Sequence, residues 1–174
     1  LENYCHDSGN VFAIAKKGMG ISSQLPSELG HLHSLEWLVL RHNKIKGTLP
    51  TAFGMLTHLK VLDLSDNEIT GTIPTEIGDM TSLKHFVTDK TKLSGNIPRE
   101  LFFANNLEYI SMVENELFGE LPKNIGNLSN LTMLNLRANM LNGTIPVSIY
   151  QCSKLHTLRL DKNRFTGILS PQIK

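Results

Sequence analysis

The sequence predicts an α/β solenoid, in which short strands stack into one parallel sheet and each returns by a short helical or 3-10 segment on the opposite side. Two observations carry this. Pro26, Pro50, Pro74, Pro98, Pro122 and Pro146 are 24 residues apart, and the seventh proline, Pro171, falls one place late. Six glycines (Gly47, Gly71, Gly95, Gly119, Gly143 and Gly167) keep the same step, while Gly30, Gly54, Gly78 and Gly126 share a second phase. A fixed period of this size marks stacked structural units, none of which can bury its apolar side alone. Residues 25–168 are read as six complete 24-residue units without insertion. Residues 1–24 are read as an N-terminal cap with a degenerate first turn, and 169–174 as the start of a further, truncated unit.

With Leu25 as position 1, position 11 reads Leu35, Leu59, Leu83, Leu107, Leu131, Leu155. Position 14 reads Leu38, Leu62, Phe86, Ile110, Leu134, Leu158, and position 16 reads Leu40, Leu64, Thr88, Met112, Leu136, Leu160. Positions 14 and 16 face inward with outward neighbours between them, the period of a strand. Position 19 reads Asn43, Asn67, Thr91, Asn115, Asn139, Asn163. An amide there, where the strand turns, has donors and an acceptor for backbone groups of its own and adjacent coils. Position 21 is Ile45, Ile69, Leu93, Leu117, Leu141 or Phe165. Gly at position 23 and Pro at position 2 then steer the chain round. Positions 3–10, such as Ser27–Ser34 or Lys123–Asn130, predict the short helix or 3-10 turn on the convex back. Counted backwards, the register places Val11, Ile14 and Ile21 in the apolar slots, while Lys16, Met19 and Ser23 break it as a capping turn would.

Composition sets outer limits. A chain of 174 residues, 40% hydrophobic and 19% charged, can bury a core. The formal charge of +1 lacks the surplus of Lys and Arg that nucleic-acid or polybasic membrane binding calls for. No run of 18 apolar residues exists to span a bilayer. The opening Leu1-Glu2-Asn3-Tyr4 has neither the basic start nor the apolar stretch of a secretory signal. Cys5 and Cys152 would sit six strand spacings apart, ~28 Å, beyond the ~7 Å reach of a disulfide.

The stretch Leu35–Pro50, LEWLVLRHNKIKGTLP, resembles L-x-x-L-x-L-x-x-N-x-L-x-G-x-I/L-P. That is the plant-type leucine-rich repeat of plant receptor-kinase ectodomains and polygalacturonase-inhibiting proteins. The resemblance covers residues 11–174. It implies a right-handed, curved and twisted solenoid with a concave parallel sheet, ligand binding on the concave or lateral surface, and an extracellular or cell-surface setting, a cytoplasmic one being the alternative. The chain departs from the pattern in four places. The cap carries Cys5 alone where the family often has paired cysteines and a Trp, which implies an upstream partner. Thr88 and Thr91 replace an apolar residue and Asn. Phe102 and Ala104 stand where Gly and Leu are usual. No C-terminal cap or kinase domain is recognisable, so the chain reads as a fragment or compact member.

Outward strand positions line the concave face in such a solenoid. Position 13 reads Ala13, Trp37, Val61, His85, Tyr109, Met133, Thr157. Trp37, Val61, His85, Tyr109 and Met133 are the candidate ligand-contacting ridge, since aromatic groups carry much binding energy once desolvated. Cross-strand packing on a solvated sheet is the plainer reading of the same stripe. Glu36, Lys60, Lys84 and Glu108 at position 12, and Asp66, Lys90 and Glu114 at position 18, set opposite charges on adjacent strands and read as self-neutralising. Arg41, Arg137 and Arg159 have fewer evident partners and are candidates for a carboxylate or phosphate contact. Asn127, Asn130 and Asn142 begin N-x-S/T sequons, the first two on the predicted back; with 15 asparagines about two would arise by chance.

The chemistry of an enzyme is weakly drawn. Asp63, His85 and Ser111 fall on consecutive strands, yet an open sheet offers no water-excluding pocket. His31-Leu32-His33 lacks further ligands at metal spacing, and Gly18-Met19-Gly20 lacks the rest of a nucleotide fingerprint. Cys152 fills position 8, an apolar slot, and reads as a buried small hydrophobe. No catalytic residue, metal or cofactor is expected. The expected activity is recognition of a protein or peptide, with a glycan as a further possibility; the alternative is a structural repeat with no ligand of its own. Threonine ladders for ice or crystal binding are broken, because Asn96, Glu120 and Ile168 interrupt Thr48, Thr72 and Thr144 at position 24.

Overall fold

The computed structural model describes Tyr4–Cys5 and residues 11–167. The expectations for a partner of Cys5 and for a further unit at 169–174 concern residues outside these. Thirteen short strands lie among the described residues: β1 (Tyr4–Cys5), β2 (Val11–Ala15), β3 (Trp37–Val39), β4 (Val61–Asp63), β5 (Thr70–Gly71), β6 (His85–Val87), β7 (Lys92–Gly95), β8 (Tyr109–Ser111), β9 (Glu116–Glu120), β10 (Met133–Asn135), β11 (Met140–Thr144), β12 (Thr157–Arg159) and β13 (Arg164–Thr166). An eight-stranded sheet runs β1-β2-β3-β4-β6-β8-β10-β12. All its pairs are parallel except β1 with β2, so an antiparallel strand closes the N-terminal edge.

Strands β3, β4, β6, β8, β10 and β12 cover positions 13–15, and the middle residue is buried while its neighbours stay half-exposed in β3, β4, β6 and β10. Leu35, Leu38, Leu62, Phe86, Ile110 and Leu134 have no exposed surface, so columns 11 and 14 form one continuous core through the stack. Six 3-10 turns of five residues form the other side, each entered from an extended proline such as Pro50 at φ −66° and ψ 135°. Glycine at position 6 of these turns lets coils touch: a Cβ on Gly30 would lie 2.3 Å from the carbonyl oxygen of Ala52. No helix among the described residues is long and apolar enough to cross a membrane.

Two features were not anticipated. A second parallel sheet, β13-β11-β9-β7-β5, runs along one flank at positions 20–24. Its residues alternate polar and apolar only briefly and include Gly, so backbone pairing rather than side-chain pattern builds it. The second feature is a column of left-handed residues at position 18: His42, Asp66, Lys90, Glu114, Ala138 and Lys162 have φ between 51° and 58°, and Gly18 continues it at 64°. Gly18, His42, Asp66, Lys90, Glu114 and Ala138 keep their N–H on the ladder while the chain turns; His42 N donates to Ser65 O at 2.9 Å and Ala138 N to Asp161 O at 3.0 Å. None of the seven is β-branched, the class least tolerant of this region.

The asparagine column performs the expected role. Asn67 Oδ1 accepts from Ile45 N at 3.0 Å, while Nδ2 donates to Leu40 O at 3.0 Å and Leu64 O at 2.9 Å. Asn43 and Asn139 repeat the scheme one and three coils away. Each amide therefore ties two coils through carbonyls and an N–H that would otherwise be buried unpaired. At Thr91 the hydroxyl has one proton for two acceptors, Thr88 O and Asn115 Oδ1. Nearby, Thr88 Oγ1 is buried without a partner.

Candidate concave recognition face

The eight-stranded sheet brings the ridge together. Trp37, Val61, His85, Tyr109, Met133 and Thr157 are consecutive Cα partners across five strand pairs. The first five are half-exposed, because they stand on the open side of a sheet whose other side is core. The ridge also packs on itself. Trp37 meets the edge of Phe12 with ring centroids 6.0 Å apart, and His85 lies against Tyr109 at 5.7 Å. Lys60 Nζ sits 5.3 Å above the Trp37 ring and 2.8 Å from Glu36 Oε2, so Trp37 already holds a cation.

Charges across the face pair between neighbouring coils. Lys60–Glu36 and Lys84–Glu108 each close at 2.8 Å, and Lys90 lies 4.0 Å from Asp66. The Lys84 hydrogen bond holds the Glu108 carboxyl below the usual carboxylate range. Such exposed pairs are worth at most about 1 kcal/mol each, so they set the surface pattern more than the stability. Arg41 and Arg137, expected to have fewer evident partners, are both paired. Arg41 lies 3.9 Å from Asp63; Arg137 donates to Asp161 at 2.9 Å and lies 3.9 Å from Glu114. Their carboxylates come from the next or preceding coil: Asp161 shares the row of Arg137, whereas Asp63 and Glu114 stand on other rows. Arg159 is exposed and has no ion pair among the described residues.

Asp63, His85 and Ser111 are not linked. Asp63 Oδ1 accepts from Ser65 Oγ at 2.7 Å, and Ser111 Oγ donates to Asp89 Oδ1 at 2.7 Å. Asp89 was not singled out in the sequence, yet it is the most distinctive carboxylate on the face. The same Oδ1 also accepts from Val113 N at 2.7 Å. Burial pushes its pKa up, with Asp63 and Asp66 adding to the effect and the two hydrogen bonds opposing it. Cys152 is buried, with Sγ 3.2 Å from Ile125 O, and burial raises its thiol pKa too. It sits as an apolar filler. Among the sequons, Asn127 is exposed on a 3-10 turn and Asn130 Oδ1 accepts from Lys154 Nζ at 2.9 Å. Asn142 is exposed on β11, on the flanking sheet.

Comparison with known proteins agrees with this geometry. A leucine-rich-repeat family model matches residues 33–93, and a second matches residues 106–128 and 130–152. The crystal structure of a pollen receptor kinase 3 is 32% identical, covering 94% of this chain and 79% of that one with a TM-score of 0.85. The chain belongs to the plant-type leucine-rich-repeat family. Two further structures match over more of this chain than of themselves. The PEPR1–AtPEP1 structure is 34% identical over 95% of this chain and 23% of that one, with a TM-score of 0.89. The Arabidopsis receptor kinase HAESA ectodomain, in complex with an N-terminally extended IDA peptide hormone, is 35% identical over 84% and 25%, with a TM-score of 0.81. This leucine-rich-repeat chain thus spans about a quarter of the length of those two. No curated protein sequence matches it.

Proposed function

We propose that this chain is an extracellular recognition module that binds an extended peptide or protein segment across its concave sheet. The carrying observation is the unbroken row Trp37, Val61, His85, Tyr109, Met133, five half-exposed side chains in register on one open face. A segment laid along that row meets apolar and aromatic contacts at intervals of one strand spacing, with Arg41, Arg137 and Arg159 along the same edge. A peptide-bound ectodomain among the structural neighbours supports the reading. Arg159, without an ion pair among the described residues, is the proposed contact for a ligand carboxylate.

The test is selection of a random peptide library on the isolated chain, followed by titration of the selected peptides against Trp37→Ala and Tyr109→Ala. We expect at least tenfold weaker binding, the loss of a typical hot-spot contact, with the thermal transition unchanged. Selected peptides that bind both variants as tightly as the parent would instead assign the row to cross-strand packing and the chain to a structural role.

A further inference from the structure

The flanking sheet presents one exposed large apolar side chain among the described residues, Phe118, and faces it with Met140 on the next strand. Phe118, Met140 and Asn142 share one side of that sheet: Phe118 and Met140 are Cα partners, and Leu117 and Leu141, which alternate with them on the two strands, are buried. Asn142 pairs in register with Glu120, which makes Phe118 its diagonal cross-strand neighbour. Diagonal neighbours stand about 7–8 Å apart, within reach of an aromatic ring and a group attached to the amide. Asn142 begins the sequon Asn142-Gly143-Thr144, is exposed, and its side-chain amide has no partner among the described residues. Asn130, by contrast, uses its amide oxygen to hold Lys154. Beside the patch, a groove of about 710 Å³ bounded in part by Asn96, Glu120, Lys123 and Thr144 leaves room for a polar group.

We infer that Asn142 carries an N-linked glycan whose first sugar packs on Phe118 and Met140. Asn142 Nδ2 loses a proton and bonds to the anomeric carbon of an oligosaccharide. The bond from that carbon to a polyprenyl pyrophosphate breaks, and the lipid pyrophosphate leaves. The apolar face of the pyranose, lined with C–H groups, then covers an aromatic ring that is 46% exposed in the bare chain. The hydroxyl edge meets Glu120 and the groove. Because the glycan stands on the flank, the concave row stays open. The inference rests on the extracellular reading for its natural setting.

The test is secretion of the chain from a eukaryotic host behind a cleavable signal peptide, with site occupancy read by peptide mass spectrometry. A double-mutant cycle between Asn142→Gln and Phe118→Ala follows, read as melting temperature and repeated on unglycosylated protein made in bacteria. Thr144→Ala, which also removes the sequon, replaces Asn142→Gln in a second cycle. We expect Asn142 to be occupied and sequon loss to lower the melting temperature by roughly 3 °C in the Phe118 background. In the Phe118→Ala background and in bacterial protein that shift should vanish. A bare Asn142 overturns the inference, and an occupied Asn127 beside it shows that the site, not the secretory setting, has failed. Equal shifts with and without Phe118 overturn it as well.

Discussion

Asp89 stands half inside the concave sheet, and its oxygen Oδ1 caps both Ser111 Oγ and Val113 N. Burial dominates its ionisation and raises its pKa above the ordinary 3.8. The folded chain therefore binds this proton more tightly than the unfolded chain does. The stability this group contributes is full below 3.8 and is lost as pH rises through its folded value. Replacing Asp89 by Asn keeps an acceptor for both donors and removes the charge. Asp89→Asn should melt about 2–4 °C above the parent at neutral pH, with the gap closing as pH falls toward 3.8. A gap that stays constant across that range would mean the carboxylate is not the cause. The residue could not be picked out in the sequence because its burial depends on Ser111 and Val113 of the next coil. The left-handed column was equally hidden. Only Gly18 signals it, while His42, Asp66, Lys90, Glu114, Ala138 and Lys162 share a backbone state and no side-chain chemistry.

Within single coils, the 3-10 turn shows a trade between two positions. Position 6 is Gly30, Gly54, Gly78 or Gly126 where position 8 is Leu32, Leu56, Met80 or Leu128. Where position 6 is Phe102 or Tyr150, position 8 shrinks to Ala104 or Cys152. Phe102 and Ala104 are both fully buried, so the ring supplies volume that the leucine supplies elsewhere. Phe102→Gly alone should cost roughly 3–5 kcal/mol through the cavity it leaves, and Ala104→Leu alone about 1–3 kcal/mol through overpacking. The double variant restores the pattern of the other coils and should recover at least half of the summed loss, read by urea unfolding. Strict additivity would refute the trade. This coil also marks how far sequence reading reaches. The strands, the turns and the asparagine column were legible because each repeats one residue type at one position. Phe102 and Ala104 were visible only as departures, since their mutual compensation depends on packing. The flanking sheet was invisible, because main-chain bonds build it and its side chains at positions 20, 22 and 24 differ from coil to coil.

Across the whole stack, each coil leans only on its neighbours, so stability is a sum of coils and of the interfaces between them. The interface around residues 73–96 is the defective one. Thr88 takes the place of an inward apolar residue and buries a hydroxyl with no partner. Thr91 offers one donor where Asn67 and Asn139 each bind carbonyls of two coils. An unpaired buried hydroxyl costs about 1–3 kcal/mol, and a lost hydrogen bond about 1 kcal/mol. The same coil carries His85 and the half-buried Asp89, so the defect lies directly beneath the middle of the concave row. Local opening should therefore begin here. In native-state hydrogen exchange, the amides of Thr88 and Leu93 should open at lower free energy than those of Leu64 and Met112 in the adjoining coils. The pair Thr88→Val and Thr91→Asn removes the orphan hydroxyl and restores the amide bridge. It should raise the opening free energy of this coil by about 2–4 kcal/mol and leave distant coils nearly unchanged. If the four amides exchange alike in the parent, or the repair shifts all coils equally, the stack opens as one body and this coil is not its weak plane.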